Sequence, residues 1–154
     1  MKRIFLISTL FFTIFSSQVA HSQAFTYYPF NSVFAISSNP TKVFWLDFRF
    51  QMNSYFTSLS TEISPMINYK TIGVTKLYMG GGARFNFLNF LNDDPAKRNP
   101  LEAYFLSFGM RSSPFTKAKG VQIAFELSPD ISKNIDLGQF RARIGVAYVF
   151  KYSR

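Results

Sequence analysis

The chain has 154 residues, one domain's worth, and with 47% of them hydrophobic and 19% aromatic it is too apolar to be a disordered tail. Its formal charge of +9 suits nucleic acid, anionic lipid or simple solubility, so charge alone selects no partner. Cys is absent and His21 is the one His.

The first residues, "MKRIFLISTLFFTIFSSQVAHSQAF", have the layout of a secretory signal. Lys2 and Arg3 form a basic start, Ile4 to Phe15 an apolar stretch, and Ala20-His21-Ser22 or Ser22-Gln23-Ala24 a small-x-small cleavage site. The apolar stretch falls short of the about 20 residues that span a bilayer. An uncleaved anchor or a buried helix is the competing reading. The expected organisation is a signal peptide over 1–22, cleaved between 22 and 24, and a single domain over 23–154. Cleavage after Ser22 leaves 15 Lys and Arg against 8 Asp and Glu, a charge of +7, with neither His nor Cys. Catalysis by Ser-His or Cys-His pairs, His or Cys zinc sites, His-ligated haem and disulfides are then all excluded. "MGGGARF", Met79 to Phe85, is glycine-rich but lies inside an alternating run with no helix after it, which favours a strand over a phosphate cradle. No catalytic residue, cofactor or metal is expected, and the chain is not expected to be an enzyme.

After the signal, Phe25 to Phe30 and Ser32 to Ile36 are short candidate strands. From Val43 to Met52 every second residue is large and apolar (Phe44, Leu46, Phe48, Phe50, Met52), with Asp47, Arg49 and Gln51 between them. That is period two, a strand with two unlike faces. Thr57 to Tyr69 sets Leu59, Ile63 and Ile67 against Ser60, Glu62 and Ser64. Lys76 to Phe87 sets Leu77, Met79, Phe85 and Phe87 against Lys76, Tyr78, Gly80, Gly82 and Arg84. The next run sets Tyr104, Leu106, Phe108 and Met110 against Ser107, Gly109 and Arg111. Val121, Ile123, Phe125 and Leu127 then oppose Gln122, Ala124, Glu126 and Ser128. Last, Phe140, Ile144, Val146, Tyr148 and Phe150 oppose Arg141, Arg143, Gly145 and Ala147. Turn clusters such as "SSNPTK", "NDDPAKRNP" and "SSPFTKAKG" separate the runs.

Two architectures share this alternation. A soluble barrel turns its apolar face inward, whereas a membrane barrel turns it outward and crosses with strands of about 9 to 11 residues. The apolar face here is crowded with Phe, Tyr, Leu and Met, while the other mixes Gly, Ala and Ser with isolated charges of both signs. That mixture fits the cramped interior of a small barrel, and a water-facing surface would carry more Lys and Glu. The predicted fold is all-β: a small antiparallel up-and-down transmembrane β-barrel of about eight strands.

With its signal peptide, its lack of Cys, its ten-residue dyads and its final "RARIGVAYVFKY" run, the chain resembles the small outer-membrane β-barrel proteins of Gram-negative bacteria, the closed eight-stranded class. The resemblance implies an outer-membrane location. It also implies contact with outer-membrane lipid and reading of the C-terminal strand by the barrel insertion machinery. Tyr148, Phe150 and Tyr152 look like that class's terminal aromatic signal, although Ser153 and Arg154 follow them. No nucleic-acid partner is expected, and no activity transfers with the fold.

"TEISPMI" (Thr61 to Ile67) and "FELSPDI" (Phe125 to Ile131) each place Glu, an apolar residue, Ser and Pro within a strand. By parity Glu62, Ser64, Glu126 and Ser128 point inward and Pro65 and Pro129 outward. Asp47, Arg49, Lys76, Arg84, Arg111, Arg141 and Arg143 share the inner side with the two Glu, so a buried ion-pair network is expected to fill the lumen. Each Pro removes a ladder donor, and a bulge or bend is expected at each. An acid/base pair of the two Glu is the competing reading, and it needs a cleft that a filled lumen does not offer. The expected role is structural or interactive, through the loops. A narrow pore and a soluble exported carrier of an apolar ligand are the alternatives. In the resembling class both termini are periplasmic. That orientation puts Asn89 to Pro100 outside, and it puts Lys42, Lys70, Lys76, Lys117, Lys119, Lys151 and Arg154 at the periplasmic rim.

Overall fold

Eight strands follow one another in chain order: β1 (Ala24–Tyr28), β2 (Val33–Ser37), β3 (Phe44–Gln51), β4 (Ser60–Ile72), β5 (Thr75–Asn86), β6 (Leu101–Ser112), β7 (Val121–Ser132) and β8 (Gly138–Val149). The computed structural model describes residues 23–51, 60–91, 98–115, 117–118, 120–135 and 137–150. The proposed signal over 1–22 and the end of the C-terminal aromatic run lie outside them. Every neighbouring pair is antiparallel, and β8 returns to β1 through Phe25 with Tyr148 and Ala24 with Val149. The sheet is a closed barrel, so no strand edge is left unpaired.

Both short N-terminal candidates are strands, joined by a 3-10 turn over Pro29–Asn31 with Ser32 left-handed at φ 50°. The even count brings both ends of the described chain to one rim, where Phe150 N–H donates to Gln23 O at 2.8 Å. That rim also holds the β2–β3, β4–β5 and β6–β7 connections. The other holds β1–β2, β3–β4, β5–β6 and β7–β8. β5 stops at Asn86, one residue short of the expected Phe87, which starts a 3-10 turn.

Alternation sets the two faces. In β3 Trp45, Asp47 and Arg49 are buried while Phe44, Phe48 and Phe50 are exposed. In β8 Arg143, Gly145, Ala147 and Val149 are buried while Ile144, Val146 and Tyr148 are exposed. Glycines make room inside. A Cβ on Gly109 would meet the Tyr78 ring, and one on Gly145 would meet the Tyr28 ring.

Of the bulge or bend expected at each Ser-Pro step, the bulge is not found, although pairing is interrupted beside each Pro. The β4–β5 pairing runs to Ile63 with Ala83 and resumes in the same register at Met66 with Gly80. The β6–β7 pairing likewise steps from Phe105 with Asp130 to Phe108 with Leu127. Each ladder is interrupted on one side of the Pro and unbroken on the other, where Leu46 pairs with Pro65 and Pro129 with Phe140. The register puts Gly81 opposite Pro65 and Leu106 opposite Pro129, and the preceding serine substitutes for the missing donor in both cases. Ser64 Oγ donates to Gly81 O at 3.2 Å, and Ser128 Oγ donates to Leu106 O at 2.9 Å. A hydroxyl one residue away satisfies the orphaned carbonyl, so the strand has no need to slip. The register shifts fall elsewhere, between Asn68 and Lys70 and between Arg84 and Phe85.

Outside each interruption the wall is hollowed by an apolar crevice. One of about 360 Å³ lies over Pro65, Met79 and Gly81, and one of about 240 Å³ over Pro129, Tyr104 and Ile131. Leu106 lines both.

Candidate functional site

The barrel interior holds charge beside two small apolar clusters, one of Tyr28, Val33, Ala35 and Ala124 and one of Trp45, Met66 and Tyr78. Four carboxylates (Asp47, Glu62, Glu126, Asp130) and four buried arginines (Arg49, Arg84, Arg111, Arg143), with Arg141 at its margin, project into it. Parity brings them there, since each occupies an inward position of its strand.

Glu126, on β7, is fully buried and grips Arg49, on β3, in a two-pronged pair: Nη1 to Oε1 at 2.6 Å and Nη2 to Oε2 at 2.7 Å. Such fork-to-fork geometry is the strongest form of this contact. Arg49 Nε donates to Asp47 Oδ2 at 2.8 Å, which uses every nitrogen of the guanidinium. Glu126 also accepts from Tyr78 Oη at 3.1 Å and Ser107 Oγ at 3.2 Å, with Arg143 Nη1 at 3.4 Å. This cluster crosses the barrel's width.

A second cluster lies toward the rim that carries the β1–β2 and β7–β8 turns. Glu62 Oε1 accepts from Arg143 Nη2 at 2.9 Å, Arg84 Nε at 3.0 Å and Arg141 Nη1 at 3.2 Å. Asp130 Oδ2 accepts from Arg84 Nη2 at 2.9 Å and Arg141 Nη2 at 2.5 Å. Three guanidinium groups therefore share two carboxylates.

Arg111 stands on the opposite side of the central pair. It makes no ion pair among the described residues and reaches Asp47 through Ser37: its Nη2 donates to Ser37 Oγ at 3.1 Å, and Ser37 Oγ donates to Asp47 Oδ1 at 2.7 Å. Its guanidinium lies over the Trp45 ring at 4.6 Å and near Tyr78 at 5.6 Å, where ring faces replace some of the lost hydration.

Of the nine residues expected in the network, Asp47, Arg49, Glu62, Arg84, Glu126, Arg141 and Arg143 are joined by direct ion pairs, and Arg111 joins through Ser37. Lys76 does not take part. It sits near the end of β5, where its flexible stem carries the ammonium to Thr41 O at 2.8 Å on the neighbouring turn. Sequence reasoning missed Asp130. The signal for it was the parity of Glu126 and Ser128, which continues unbroken through Pro129.

Glu62 and Glu126 are both held by arginines. Among the described residues no His, Cys, Asp and Glu cluster could hold a metal ion. The central pair, Tyr28, Tyr78 and Phe105 are all buried. The chain matches no protein-family model, no curated protein and no solved structure.

Proposed function

We propose that this barrel is an integral outer-membrane protein whose wall faces lipid, whose filled interior is a rigid plug, and whose loops carry its interactions. The observation that supports this reading is inverted polarity. The four interior carboxylates are buried, while the outward wall presents Tyr104, Leu106, Phe108 and Met110 on β6 and Phe140, Ile144, Val146 and Tyr148 on β8, all exposed. Water-soluble monomers rarely leave contiguous apolar surface beyond a few hundred Å², and a belt running round a whole barrel exceeds that by its extent. β4 to β8 have 12 or 13 residues each, long enough to cross a bilayer at the usual tilt. A carrier of apolar ligands would need an oily cavity where the ion network sits, and the central pair blocks the axial route a pore would use.

The test is membrane association of the processed chain. Under an alkaline carbonate wash it is expected to stay in the membrane pellet, and in planar bilayers it is expected to conduct no ions. Release into the supernatant would establish the water-soluble reading instead.

A further inference from the structure

The rim that carries the β1–β2 and β7–β8 turns contains a cavity of about 300 Å³ reaching down to the second ion cluster. Water occupies about 30 Å³ per molecule in the liquid, so the space holds a ligand of several heavy atoms. Its lining includes Arg141 and Arg143 at the floor, the side-chain amides of Asn31, Gln51 and Gln139 on the sides, and Phe30 at the lip. Among the described residues no carboxylate lines it. Arg143 is 1% exposed, yet among the described residues its Nε has no hydrogen-bond partner, and neither has the buried Oδ1 of Asn31. Buried polar atoms of native proteins are nearly always satisfied.

The charge of this layer points the same way. Arg84, Arg141 and Arg143 share Glu62 and Asp130, Arg143 also reaches Glu126 at 3.4 Å, and of these groups only the cations Arg141 and Arg143 line the cavity. Arginine suits carboxylate and phosphate because its planar fork matches their paired oxygens. Amides both donate and accept, which is what hydroxyl groups require. Phe30 is 84% exposed at the lip and offers a flat apolar face to a ring lying above the arginines.

We infer that this vestibule binds an acidic sugar unit, its anionic group held by Arg141 and Arg143, its hydroxyls by Gln51, Gln139 and Asn31, and one ring face by Phe30. The site depends on the closed barrel mouth and not on whether the wall faces lipid, so it stands or falls separately from the membrane reading.

The full processed chain, folded in detergent micelles, is titrated with glucuronate by calorimetry, and the side-chain Nε–H resonances of arginine are followed by NMR. Saturable binding is expected, with a shift of the Arg143 Nε–H signal. Neutral glucose is expected to bind at least about tenfold more weakly, because it lacks the charged partner. Arg141→Gln is expected to weaken glucuronate by about tenfold or more, and Gln139→Ala by about three- to tenfold. Gln139 makes none of the ion pairs, so that variant decides the matter if Arg141→Gln fails to fold. Absence of glucuronate binding, equal binding of glucose, or unchanged affinity in Gln139→Ala would overturn the assignment. Inorganic phosphate binding as tightly as glucuronate would reduce the site to a simple anion trap and overturn the sugar.

Discussion

Glu126 sets the terms for the interior because four strands besides its own reach it, through Arg49, Tyr78, Ser107 and Arg143. Truncation to Ala removes the carboxylate that pairs with buried Arg49 and reaches buried Arg143. Breaking a buried pair from one side costs about 3 to 5 kcal/mol, and that loss is expected in urea unfolding of the folded chain in detergent. A change below about 0.5 kcal/mol, the usual surface range, would contradict the buried geometry. Ser128 is the second informative residue. Its hydroxyl is the donor that Leu106 O lacks because position 129 is Pro, so Ser128→Ala leaves a part-buried carbonyl without that donor, at a cost of about 1 kcal/mol. In a Pro129→Ala background the backbone regains an N–H at that register, and the same Ser128→Ala change is expected to cost markedly less. A double-mutant cycle measures this coupling, and additive costs would show that the serine does not act for the proline. Ser64 is a less clean subject, since the Met66 sulfur lies 3.6 Å from its hydroxyl as a second acceptor.

Among the strands, β5 shows most directly how parity governs tolerance. Its run Gly80-Gly81-Gly82 faces inward, outward, inward. A Cβ on Gly82 would press against Ile63 O and the Phe105 ring at 2.8 Å, whereas one on Gly81 would meet Leu106 Cδ2 at 3.2 Å, the end of a flexible side chain. Gly82→Ala is therefore expected to destabilise by about 1 to 3 kcal/mol, as overpacking does. Gly81→Ala is expected to cost clearly less, and the ordering of the two urea midpoints is the check. The strands were legible in the sequence because alternation survives in each of them, and the inward charges followed from the same parity. The way the strands accommodate proline was not legible. Whether a missing N–H produces a slip depends on which carbonyl lies opposite and what else can reach it, and only the paired register reveals that Ser64 and Ser128 do. Lys76 was misjudged for a related reason. Parity fixes where its Cβ points, but four flexible carbons near a strand end let the ammonium turn to the adjacent turn.

For the whole barrel, the even strand count places both described termini at one rim, and that rim is basic. Lys42, Lys76 and Lys117 lie on or beside its turns with no Asp or Glu among the described residues there. If it is the periplasmic rim, it sits against anionic phospholipid headgroups, each cation contributing about 1 kcal/mol near such a surface. Cysteine at Asn99 and at Ala118, both exposed and at opposite rims, is expected to react with a membrane-impermeant thiol reagent on intact cells only at Asn99. Labelling confined to Ala118 would reverse the orientation. The paired prolines also shape the barrel mechanically. Their interruptions lie at β4–β5 and at β6–β7, so β5 and β6 form a single leaf with a weakened joint along each side, while the other strands make up the rest of the hoop. Amide exchange is accordingly expected to proceed sooner across these two joints than between β7 and β8. The interior would then become reachable sideways, as through a shutter in the wall.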